Sequence, residues 1–159
     1  METTSESFTA SVDVHWTQKG QAPGMIKAFE GTHTYTQAMW KQKKGKNILI
    51  LPSFDVDEEG YIAGSPRVVG MVDTKLYLSE DGVTLDRTGI IRWAHEFVSE
   101  RVQASILHIG GLVLPVVVET SMAKAQWTSG GGEADLKFVL TSGNDHYPVE
   151  ISMKFSRRM

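Results

Sequence analysis

The stretch Thr88-Gly89-Ile90-Ile91-Arg92-Trp93-Ala94-His95-Glu96-Phe97-Val98-Ser99-Glu100-Arg101-Val102-Gln103-Ala104-Ser105-Ile106-Leu107-His108-Ile109-Gly110-Gly111 decides whether this chain is all-β or mixed. Ile91, Ala94, Val98, Val102, Ile106 and Ile109 recur at steps of three and four residues, with Arg92, Glu96, Ser99, Glu100 and Gln103 on the other side. That spacing predicts one amphipathic helix over 89–109, about 20 residues and roughly 30 Å long. Thr88 stands where an N-cap belongs, Arg92 and Glu96 are four apart, and Gly110-Gly111 stops the segment.

Outward from it the period falls to two. Towards the N-terminus, Val83 to Leu85 follows the turn Glu80-Asp81-Gly82, and Val68 to Leu78 precedes it. Further back, Met25 to Trp40 and Ile48 to Leu51 read as an extended hairpin with a charged tip at Lys41 to Lys46. Phe8, Ala10, Val12, Val14 and Trp16 alternate with Thr9, Ser11, Asp13 and His15 as in a half-buried strand. Towards the C-terminus, Leu112 to Glu119, Met122 to Thr128, Ala134 to Thr141 and Pro148 to Phe155 are strands. Pro115 lacks a ladder donor, which places its strand at an edge or a bulge. The expected fold is mainly β (α+β), an antiparallel β-barrel or two-layer sandwich of about eight or nine strands with one helix near 89–109, in a single domain over 1–159.

Composition narrows the function classes. The chain has 159 residues and a formal charge of −3, without the basic excess of a general nucleic-acid binder. It has no cysteine, which removes disulfide scaffolds, thiolate zinc sites and cysteine nucleophiles. Glu2, Glu6 and Asp13 precede the first basic residue, Lys19, so no signal peptide is expected and synthesis is cytoplasmic. The apolar runs 47–52 and 112–118 fall far short of the roughly 20 residues of a membrane-spanning helix.

The net charge hides two clusters. Lys41, Lys43, Lys44 and Lys46 lie on one side of a short strand, and Asp55, Asp57, Glu58 and Glu59 on the other. Two solubilising loop tips are the simplest account. The functional account is a subunit polarised for electrostatic contact with copies of itself. The run Asp55-Val56-Asp57-Glu58-Glu59-Gly60-Tyr61-Ile62 also resembles the first part of an EF-hand-type calcium loop, with Asp55, Asp57 and Glu59 at ligand positions and Gly60 at the sharp turn. The resemblance implies calcium as the one candidate cofactor. It ends at Pro66, which stands where that loop needs a bidentate glutamate.

No HExxH, GxSxG or comparable catalytic pattern occurs. Among the five histidines His95 stands apart, because on the predicted helix it falls within the apolar stripe and points to the core. There it is a satisfied core histidine or a polar group in a pocket, acting as general acid or base. The leading expectation is therefore a non-catalytic structural subunit that self-associates through β-hairpins and polarised charge, as in a tube, shell or particle. The alternative is a barrel that binds a small apolar molecule, with isomerase or cyclase chemistry at His95.

Overall fold

Ten antiparallel strands close into a barrel in the computed structural model, which describes residues 8–20, 22, 31–43, 46–57 and 69–158. They are β1 (Phe8–Lys19), β2 (Gly31–Lys43), β3 (Lys46–Asp57), β4 (Val69–Ser79), β5 (Gly82–Gly89), β6 (Ile91–Val98), β7 (Arg101–Ile109), β8 (Leu112–Thr128), β9 (Gly131–Ser142) and β10 (Asp145–Arg157). Each pairs with its neighbour in sequence, and β1 closes on β10 from Val12↔Arg157 to Lys19↔Glu150. Closure settles the barrel against the sandwich and leaves no free sheet edge.

The helix over 89–109 is not there. Those residues form β6, the two-residue turn Ser99-Glu100, and β7. In β6 the strict alternation of Ile91, Trp93, His95 and Phe97 points inward, while Arg92, Ala94 and Glu96 point outward. The three-and-four spacing does not follow one face: Ile91 and Ile109 are buried, whereas Ala94, Val102 and Ile106 are exposed. β-branched and aromatic residues make up much of this stretch and favour the extended chain, and a barrel wall absorbs what a lone helix cannot.

Inward-facing positions fill the barrel. Trp16, Trp40, Leu49, Leu76, Leu85, Phe97, Leu107, Phe138 and Met153 are all buried there. Two indoles are held by inward amides: Trp16 Nε1 donates to Gln18 Oε1 at 3.0 Å and Trp40 Nε1 to Asn47 Oδ1 at 3.1 Å. Trp40 also meets Phe8 and Phe155 edge to face, with ring centroids 5.1 and 5.0 Å away. Outward positions are mostly polar, as in β1, where Thr9, Ser11, Asp13 and His15 face away from the core. That pattern is the reverse of a transmembrane barrel, whose apolar band faces lipid. Among the described residues no helix is long and apolar enough to cross a membrane.

Pro115 is neither on an edge strand nor at a bulge, since β8 is paired on both sides and its irregularity falls between Thr120 and Met122, but it lies where one of those pairings has not begun. It lies in β8 opposite Ile106 of β7, and the register of β8 with β9 begins only at Val117↔Thr141. On that side of Pro115 no β9 carbonyl waits for a donor.

Candidate functional site

The wall built from β7 and β8 differs from the rest of the barrel on its outer side. Val102, Ala104, Ile106 and His108 face outward from β7, and Val113, Pro115, Val117 and Glu119 from β8. Register sets them side by side as Val102↔Glu119, Ala104↔Val117, Ile106↔Pro115 and His108↔Val113. Val102, Ile106, Val113 and Val117 are 64%, 56%, 55% and 43% exposed. Only Tyr77 joins them as an exposed large hydrophobic among the described residues. Scattered exposed apolar groups are ordinary, but four on two adjacent strands form a patch. The inner sides of the same strands carry Leu107, Ile109, Val116 and Val118 in the core, so β7 and β8 are apolar on both faces.

The ends of this patch differ in charge. At one end Arg92 of β6 pairs in register with His108, which pairs in turn with Val113. At the other end Glu119 lies between Val102 of β7 and Val139 of β9. Arg101 starts β7 at that end; it is exposed, but alternation sets it on the other side of the strand from Val102. Lys137, two residues from Val139 on β9, is exposed there too and lies 3.7 Å from Glu150 of β10.

Behind the patch lies the weakest seam of the barrel. The register of β6 with β7 consists of Ile91↔Ile109 and Arg92↔His108, against nine pairs between β7 and β8. Side chains take over where that ladder ends: Trp93 Nε1 donates to Ser105 Oγ at 2.8 Å. The turn is tied to β8 instead, through Glu100 N–H to the Thr120 carbonyl at 2.8 Å and Ala123 N–H to Ser99 Oγ at 2.9 Å.

His95 sits on the inner side of β6, stacked on Trp93 with ring centroids 5.6 Å apart and edge-on to Phe97 at 4.7 Å. Its prediction as a core-facing residue holds, on a strand. Burial lowers its pKa from the ordinary value of 6.5, and the nearby Glu96 raises it only in part. Its Nε2 has no hydrogen-bond partner among the described residues, nor do Gln103 Oε1 and Thr120 Oγ1. At the other polar spot inside the barrel, Arg87 is buried and its charge acts on Tyr35, whose hydroxyl pKa burial nonetheless raises.

The charge clusters are only partly within view. Lys41 and Lys46 are exposed, and Lys43 pairs with Lys46 at the end of the β2–β3 ladder. Lys44, Glu58, Glu59, Gly60 and the rest of the calcium-loop resemblance lie outside the described residues. Asp55 and Asp57 belong to β3, opposite Met71 and Val69, where a loop from Ser53 was predicted. Lys46, Asp55 and Asp57 thus lie within one strand longer than the predicted Ile48 to Leu51, rather than in loops on either side of it. Among the described residues no three histidine or carboxylate side chains gather as a metal site. Sequence reasoning missed the β7–β8 patch, because the helical reading assigned Val102 and Ile106 to the core.

No protein-family model and no curated protein matches this sequence. A solved structure does. The crystal structure of the ywiB protein from Bacillus subtilis is similar over 95% of this chain and 94% of that one, with a TM-score of 0.68 and 14% sequence identity. At that identity the likeness shows the barrel fold and nothing of the activity.

Proposed function

We propose that this protein is a non-catalytic subunit that associates with copies of itself, and that the outer face of β7 and β8 is its contact surface. The observation that carries the reading is the placement of Val102, Ile106, Val113 and Val117, exposed and contiguous on one wall of an exterior that is mostly polar among the described residues. Burying such groups on association is favourable by roughly 25 cal/mol per Å² of apolar surface. The contact is thereby moved from the lysine and carboxylate clusters of 41–59 to the β7–β8 wall. One such face closes a pair, and a tube, shell or particle takes a second contact besides it.

Light scattering after size exclusion, from about 1 to 500 µM protein, tests the reading. A mass that rises with concentration is expected, and Val117→Lys should return it to that of a monomer without lowering the melting temperature by more than a few degrees. A wild-type protein that stays monomeric across that range, at low and high salt, removes the reading.

One observation favours a second reading, in which the barrel binds a small molecule. His95 Nε2, Gln103 Oε1 and Thr120 Oγ1 are buried polar atoms without partners among the described residues, and such atoms are the usual orienting groups of a ligand site. The dense packing of Trp16, Trp40, Phe97 and Phe138 in the interior weighs on the other side, since a ligand there would have to displace core side chains. Ligand-induced change in Trp93 fluorescence, lost in His95→Ala, is the outcome this reading requires.

A further inference from the structure

We infer that two copies pack face to face through β7 and β8 about a two-fold axis that lies in the plane of the contact, perpendicular to the strands. The inference rests on the self-association reading and supplies its partner and symmetry. A contact between like faces is isologous, so the patch must complement itself. Rotation about that axis reverses the strand direction and sets each end of the patch over the opposite end of its copy. The Ala104/Val117 and Ile106/Pro115 rows, at the centre, then lie over each other. The end formed by Arg92 and His108 comes over the end formed by Glu119, twice by symmetry.

The alternative two-fold, with its axis along the strands, keeps each end over itself. It would set the two Glu119 side chains, on β8 near the middle of the face, close to each other, a repulsive arrangement at that end. Head-to-tail stacking through this one face is excluded by the meaning of a heterologous contact, which needs two different surfaces. The charge pattern therefore selects one symmetry.

Size sets the strength. From Val102 to His108 the face runs about 20 Å, and the four strands from β7 to β10 span about 15 Å between outer axes, roughly 300 Å² in plan. A standard interface takes about 800 Å² of accessible surface from each partner. Val139 and Pro148, next to each other in the β9–β10 register, extend the apolar area beyond Glu119. The pair is accordingly at the small end of the size range, where reversible association is the rule.

Charge exchange followed by sedimentation equilibrium tests the geometry. Glu119→Arg alone sets like charges against each other at both ends and should weaken the dimer at least tenfold, as should Arg92→Glu alone. The doubly exchanged protein restores the pairing and should recover most of the wild-type affinity. The absence of cysteine gives a second readout: in an Ala104→Cys protein a bismaleimide spanning about 10 Å, the usual spacing of packed sheets, joins two copies, whereas Lys75→Cys on the far wall stays uncrosslinked. If the wild type dimerises and Val117→Lys abolishes it, but the double exchange rescues nothing, this symmetry is wrong while self-association stands. If the wild type never dimerises, both fall.

Discussion

His95 is a basic side chain kept neutral by its surroundings. Trp93 stacks on it, Phe97 meets it edge-on, and its Nε2 has no partner among the described residues. Desolvation of the imidazolium lowers the folded-state pKa below 6.5. The unfolded chain takes up this proton as the pH falls through about 6.5, and the folded chain only at lower pH. Between those values the unfolded state holds more protons. The stability that neutral His95 contributes is therefore complete above about pH 6.5 and is lost as the pH falls towards the folded value. His95→Phe keeps an aromatic ring in the wall and removes the titration, so the gap in melting temperature between variant and wild type should widen in the variant's favour from pH 7.5 to 5. Two melting curves that shift in parallel with pH would exclude this role.

At the scale of elements, β6 and β7 form a hairpin joined by ladder pairs at one end only. The Trp93–Ser105 hydrogen bond substitutes for part of the missing ladder. Ser105→Ala leaves the indole N–H without that acceptor at a cost of about 1 kcal/mol, and lost stability should come from the seam first. Hydrogen exchange measured by NMR should show β6 and β7 amides speeding up in the variant while those of the β8–β9 ladder keep their wild-type rates. Uniform acceleration through the barrel would mean that the seam has no separate stability. The same hairpin is where sequence and structure part. Phe8 to Trp16, the described part of the 25–51 hairpin and the segments after Gly111 announce themselves by alternation and by turns at Glu80-Asp81-Gly82 and Ser142-Gly143-Asn144-Asp145, while residues 25–30 lie outside the described residues. The strands predicted at 112–119 and 122–128 are one, β8, which passes its gap through the irregularity between Thr120 and Met122. The Ser99-Glu100 turn gives no such signal, because Glu100 adopts φ 63° without being glycine or asparagine. Its cost is offset by the Glu100 N–H bond to β8, a contact no local pattern reveals. With the turn invisible, six apolar residues spaced by chance at three and four steps read as a helix, and the exposed face that forms the candidate site went unseen.

At the scale of the whole molecule, the barrel exists only if its ends meet. Each strand leans on the next in sequence, but β1 and β10 join residues more than a hundred positions apart, and their ladder is the step that removes both edges. Such closure carries a large loop entropy and comes after local hairpins have formed. The terminal residues differ sharply in what they add to it. Arg157 lies over the Phe8 ring at 4.4 Å, and Arg158 contacts Asp13 at 2.9 Å through an exposed ion pair worth little in water. Met153 and Phe155 are core residues, and Phe155 packs on Trp40. Ending the chain after Ser156 should therefore lower stability by about 1 kcal/mol or less, measured by urea unfolding. Ending it after Ser152 removes both core side chains, a loss of about 5 kcal/mol or more against a total stability of about 5–15 kcal/mol. That shorter chain keeps only Thr17↔Ser152, Gln18↔Ile151 and Lys19↔Glu150 of the closing ladder and exposes the edge of β1 from Val12 to Trp16, so it should be found aggregated or unfolded rather than as an opened barrel. A soluble, cooperatively melting protein from that truncation would show that these three pairs are closure enough.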